Sequence, residues 1–155
     1  MNQEKRDHMT IADKLKGINR RFIQQGAERI GMQDLDKAKQ RAGEILSRFE
    51  NNEVLGKYMA EARLLMGLVG DYRAGRYKKI PWWAVSSVVF ALLYVLNPFD
   101  LVPDFIPVLG QLDDALVLGL CLRMVEREIT AYKEWKEGQQ KEEIVIQPTP
   151  EDPLS

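Results

Sequence analysis

Residues Tyr94–Asp114 read YVLNPFDLVPDFIPVLGQLDD, and the fold turns on how this stretch is understood. It sets Asp100, Asp104, Asp113 and Asp114 among Pro98, Pro103, Pro107 and a dense apolar background, with no Lys or Arg to neutralise them. A proline pushes the residue before it out of the α region, so Asn97-Pro98 predicts the end of one helix. Asp113 and Asp114 predict the N-cap and first turn of the next, where carboxylates meet unpaired backbone N–H groups and the positive end of the helix dipole. Gly110 permits the bend between them. The expectation is a turn formed by Pro98, Pro103, Pro107 and Gly110 that reverses one apolar helix into another.

The incoming helix is announced by Pro81, Trp82 and Trp83 and stays apolar through Leu96, interrupted only by Ser86 and Ser87. Pro81 suits a first helical turn, where its missing N–H has no partner to lose. Arg73, Arg76, Lys78 and Lys79 lie just upstream. Cations followed by a tryptophan pair match the composition of a cytoplasmic membrane interface, with Lys78, Lys79, Trp82 and Trp83 as its anchors. No Lys or Arg occurs between Lys79 and Arg123, as expected of a hairpin, Trp82 to Leu122, that enters or spans a bilayer with both termini cytoplasmic. Pro81 through Leu96 is 16 residues, short of the roughly 20 that cross a bilayer core. A buried core helix also excludes cations, so a soluble, cytoplasmic reading of the same run stays open.

Tyr94, Pro98, Asp100, Leu101, Pro103, Asp104, Ile106, Pro107, Gly110, Asp113 and Asp114 resemble the signature of the YkvA-like bacterial domain of unknown function. There a tyrosine leads into a proline-aspartate turn, a PD-x-IP-x-x-G segment and an aspartate pair. The resemblance covers roughly Ala60 to Leu122. It implies a small, mainly helical domain that is often regarded as membrane-associated, and it carries no biochemical activity with it.

Away from this segment the pattern is helical and no period-2 strand is visible. Ile11, Leu15, Ile18 and Phe22 fall at helical spacing with Lys14, Lys16, Arg20 and Arg21 around them. This basic amphipathic helix either packs on its own domain or lies on an anionic membrane surface. Gly26 and Gly31 loosen the next stretch. Asp34 is the expected N-cap of a second helix with the stripe Leu35, Ala38, Ala42, Ile45, Leu46 and Phe49. After Asn51-Asn52 a third runs from Glu53 to Tyr72, where Gly67 and Gly70 suggest close approach of another backbone. Beyond Arg123 a helix of alternating charge carries Trp135, expected to pack, and should stop at Gly138. The expected organisation is all-α: amphipathic helices over residues 1–52, a YkvA-like helical domain with its central hydrophobic hairpin over 53–137, and a disordered tail over 138–155.

Function is less legible than fold. The formal net charge of −1 argues against nucleic acid as a partner, because such binding leaves a basic footprint. Cys121 is the single cysteine and reads as a small buried hydrophobe, and His8, the only histidine, sits in a polar leader. MNQEKRDHMT has no apolar run of a signal peptide, so the amino terminus is expected to stay in the cytoplasm. No Gly-rich phosphate loop, H-E-x-x-H motif or G-x-S-x-G elbow is present, which points away from an enzyme of those classes. Asp100, Asp104, Asp113 and Asp114 could converge on a divalent cation as oxygen ligands, or serve only as caps and turn residues. The leading expectation is a non-enzymatic scaffold or interaction module whose partner is membrane lipid. The alternatives are a soluble enzyme or sensor binding a divalent cation through the aspartates, and a soluble helical adaptor that buries the tryptophans in a protein partner.

Overall fold

The computed structural model describes residues 19–97 and 112–146, and in the second range side chains are described for residues 115–141. The described residues form helices only: α1 (Arg20–Ala27), α2 (Met32–Gln40), α3 (Ala42–Glu50), α4 (Glu53–Gly56), α5 (Met59–Arg73), α6 (Trp82–Leu96), α7 (Leu112–Met124) and α8 (Glu126–Ile146).

Local chemistry sets several of the boundaries. Asn19 caps α1, its Oδ1 accepting the Phe22 N–H at 3.1 Å. Asn52 caps α4 by accepting from Val54 and Leu55 at 2.9 and 3.1 Å. Asp34 is not the N-cap of the second helix: the helix begins two residues earlier, behind Gly31, and the Asp34 carboxylate reaches back to the Gly31 N–H at 2.8 Å. The expected second and third helices are each broken, at Arg41 and near Tyr58, where φ and ψ leave the helical range while backbone hydrogen bonds continue across. At the end of α5, Gly75 adopts φ 82°, Arg76 N–H donates to Asp71 C=O and Gly75 N–H to Tyr72 C=O. This is a Schellman termination, which needs a residue that tolerates the left-handed region.

α6 is the axis of the molecule. Every residue from Ala84 to Leu96 is buried, including Ser86 and Ser87 at 2 % exposure each. The helix packs most closely with α7 and α1, and also with α2, α3 and α5. It starts after Pro81, which is the N-cap rather than a first-turn residue, and ends at Leu96, with Asn97 extended as expected before Pro98. Burying Ser86 and Ser87 is tolerable because each hydroxyl donates to the Trp83 carbonyl, at 3.2 and 2.6 Å.

One contact shows how tightly the axis is held. A Cβ on Gly26 of α1 would lie 2.2 Å from Phe90 Cε2 of α6, so only glycine lets the ring approach. Phe22, one turn earlier, meets the Phe90 and Tyr94 rings edge-on at 5.7 and 6.0 Å. Phe22 against Tyr94 and Gly26 against Phe90 make α1 and α6 antiparallel. From α7, Val117, Leu118 and Cys121 close the core, and the Cys121 thiol donates weakly to the Ser87 carbonyl at 3.4 Å.

The spanning form of the predicted hairpin is corrected here for its helices, and its turn, residues 98–111, lies outside the described residues. At 15 residues α6 is about 22 Å long, against about 30 Å of hydrocarbon, and helices of its own chain surround it. No helix among the described residues is long and apolar enough to cross a membrane. The run that resembles a span is a core helix. Helices before and after residue 52 contribute to one continuous core, from Phe22 to Tyr132.

Two further expectations are corrected. α8 continues through Gly138 to Ile146, so the expected stop at Gly138 does not occur. Gly67 accommodates side chains rather than a backbone: its absent Cβ would lie 3.0 Å from Tyr132 Oη and 3.1 Å from Lys136 Nζ, while Gly70 faces open space.

Candidate functional site at the amino-terminal end of the central helix

The segment between α5 and α6 is pinned at alternating depths. Tyr77 and Ile80 are buried at 3 % and 4 % exposure, while Lys78 and Lys79 between them point to solvent. Tyr77 is held by Trp135 at 4.9 Å and Tyr132 at 5.2 Å, rings supplied by α8. Trp135 therefore packs on the domain, as the sequence predicts. Immediately after this anchor, Trp82 and Trp83 are 38 % and 45 % exposed, although Trp82 leans on Tyr72 at 6.1 Å. Exposed rings of this size beside two solvent-directed lysines form an apolar and basic corner at the start of the most apolar helix.

The basic cluster read from the sequence separates into two kinds. Arg73 reaches Asp36 of α2 through two hydrogen bonds, 2.8 and 3.3 Å, and this contact holds the Asp36 carboxyl below its ordinary value. Arg76 pairs with Asp71 at 2.7 Å. Lys78 and Lys79 form no ion pair among the described residues.

Beside this corner lies a groove of about 620 Å³ between α1 and the first turns of α6. Arg20, Gln24, Ala27 and Glu28 form one wall, and Trp82, Trp83, Ser86 and Ser87 the other. The α1 residues recur at i, i+4, i+7 and i+8, one face of a helix. Nothing in the sequence marked this face or which element would lie opposite.

A partly buried polar cluster ties α8 to the same region and was not foreseen. Tyr132 donates to Asp71 Oδ2 at 2.5 Å, and Lys136 donates to Tyr132 Oη at 3.4 Å. Burial works to raise the Asp71 carboxyl, but hydrogen bonds from Tyr132 and Arg76 and the charges of Arg76 and Lys136 outweigh it and leave it lowered. Burial, then the Asp71 hydrogen bond and charge, push the Tyr132 phenol up, so it remains a donor. Burial alone pushes the Cys121 thiol up to about 12.

Of the aspartates singled out in the sequence, Asp113 and Asp114 fall in the first turn of α7, which begins at Leu112, so Asp113 lies inside the helix rather than at its cap. Their side chains, together with Asp100, Asp104, Pro98, Pro103, Pro107 and Gly110, lie outside the described residues. Among the described residues no three His, Cys, Asp or Glu side chains are grouped to hold a metal ion.

These features define a small all-α domain wrapped around one buried apolar helix, with an exposed aromatic and basic corner where that helix begins. The central segment is YkvA-like: the family model described as "Protein of unknown function (DUF1232)" matches residues 84–120, from the buried part of α6 to α7. The chain is also similar to the "Uncharacterized membrane protein YkvA" of Bacillus subtilis (strain 168), 35 % identical over 69 residues. That similarity covers 44 % of this chain and 65 % of the relative, just under two thirds of the relative's length. No solved structure matches the chain.

Proposed function

We propose that this protein is a non-enzymatic helical module that docks peripherally on the cytoplasmic face of a bilayer, using the corner formed by Lys78, Lys79, Trp82 and Trp83. The observation that carries this reading is the exposure of both tryptophans directly beside two lysines that make no ion pair among the described residues. Indole rings favour the headgroup level of a membrane, and each lysine near an anionic surface contributes about 1 kcal/mol. The similarity to a relative named as a membrane protein supports the same direction. Because α6 is enclosed by its own chain, the bilayer meets the end of this helix rather than its length.

Sedimentation with vesicles tests the reading. The full chain should pellet with vesicles containing phosphatidylglycerol and much less with pure phosphatidylcholine. It should be released near 1 M salt, where the Debye length falls to about 3 Å. Trp82→Ala/Trp83→Ala and Lys78→Gln/Lys79→Gln double variants, checked for unchanged helicity, should each lose most of the binding. Undiminished pelleting of both variants would refute the assignment of this surface.

A further inference from the structure

The groove beside the tryptophan pair differs in chemistry from the basic corner, and the geometry points to a specific occupant: a phospholipid with a primary-ammonium zwitterionic headgroup, of the phosphatidylethanolamine type. This rests on the bilayer reading above and adds a site for one lipid molecule to it. Three observations converge. First, the α1 wall carries one cation and one anion, Arg20 at its start and Glu28 at its C-cap, with Gln24 and Ala27 between. Neither charge makes an ion pair among the described residues. A wall of net charge zero with separated poles complements a dipolar group, whereas an anionic headgroup would satisfy Arg20 and face Glu28 with a like charge. Arg20 offers planar donors for the phosphate, and Glu28 accepts from the ammonium.

Second, the Ser86 and Ser87 hydroxyls on the opposite wall have already committed their protons to the Trp83 carbonyl. Towards the groove they can present only lone pairs. That suits an N–H donor and favours a primary ammonium over a trimethylated one. Third, the exposed faces of Trp82 and Trp83 provide aromatic surface for a cation and apolar surface for the glycerol and first methylenes of a lipid. Free phosphoethanolamine would use the polar contacts but leave that apolar surface wet, so a lipid is the better occupant.

The test uses the full chain and dihexanoylphosphatidylethanolamine below its micelle concentration, followed through the three indole N–H resonances by two-dimensional NMR. The Trp82 and Trp83 signals should shift saturably while Trp135 stays in place. The phosphatidylcholine and phosphatidylglycerol analogues, and O-phosphoethanolamine alone, should each bind about tenfold more weakly. Glu28→Gln and Arg20→Gln should each weaken the ethanolamine lipid by about tenfold while pelleting with phosphatidylglycerol vesicles persists. Equal affinity for the ethanolamine and glycerol lipids, or an unchanged response in Glu28→Gln, would overturn the site and leave the bilayer reading standing. O-phosphoethanolamine binding as tightly as the lipid would overturn the choice of a lipid. Loss of all vesicle binding by the unaltered chain would instead overturn the bilayer reading.

Discussion

Gly26→Ala is the sharpest perturbation of the core. In an ordinary helix interior this change stabilises by about 1 kcal/mol, since alanine has the better propensity. Here the new Cβ would sit 2.2, 2.4 and 2.5 Å from three carbons of the Phe90 ring, where about 3.5–4.0 Å is comfortable. Phe90 is 1 % exposed and is flanked by Phe22 and Tyr94, so the ring cannot withdraw without disturbing both. Overpacking of this kind costs about 1–3 kcal/mol, which outweighs the propensity gain in most of its range. The expected net effect is destabilisation by up to about 2 kcal/mol in urea titrations, or up to roughly 8 °C in melting temperature. Gly70→Ala supplies the control: its Cβ meets nothing within 4 Å, so that variant should gain up to about 1 kcal/mol. Phe90→Leu should relieve the penalty at position 26 in a double-mutant cycle. If Gly26→Ala instead gained the full propensity advantage of about 1 kcal/mol, as at an unhindered site, α1 would not pack on α6 as described, and the enclosure of α6 would lose one of its two closest partners.

Tyr132→Phe should destabilise by about 1–3 kcal/mol, because it leaves a largely buried carboxylate short of one donor. The lowered Asp71 carboxyl adds a pH dependence: its contribution is fully present above the unfolded value near 3.8 and is lost as pH falls through the lower folded value. Urea titrations from pH 6 to pH 2 should therefore show a smaller acid-induced loss in Asp71→Asn than in the parent, and an identical loss would contradict the cluster. Cys121, buried and with its thiol pushed up to about 12, should resist iodoacetamide at pH 8 in the native protein and react on unfolding. Rapid native labelling would place α7 away from Ser87.

Much of the fold is legible in the sequence because it rests on local chemistry. The apolar run from Trp82, its end at Asn97 before Pro98 and the stripe positions Leu35, Ala38, Ile45 and Phe49 all reappear as helix and core. What surrounds α6 is not legible, since hydrocarbon and protein interior exclude Lys and Arg alike. The deciding contacts join residues far apart in the chain: Gly26 with Phe90, and Asp71 with Tyr132. The same holds for the basic cluster. Arg73 and Arg76 look equivalent to Lys78 and Lys79 until Asp36 and Asp71 claim them, and this narrows the candidate surface to the lysine and tryptophan pairs.

Release of the native protein from cell membranes tests the central claim most directly, because it establishes which solvent surrounds α6. If α6 is a core helix and the bilayer touches only Lys78, Lys79, Trp82 and Trp83, high salt without detergent should release the chain as a folded, monodisperse species. Retention in the membrane through high salt, with release only by detergent, would contradict it and restore α6 to the lipid.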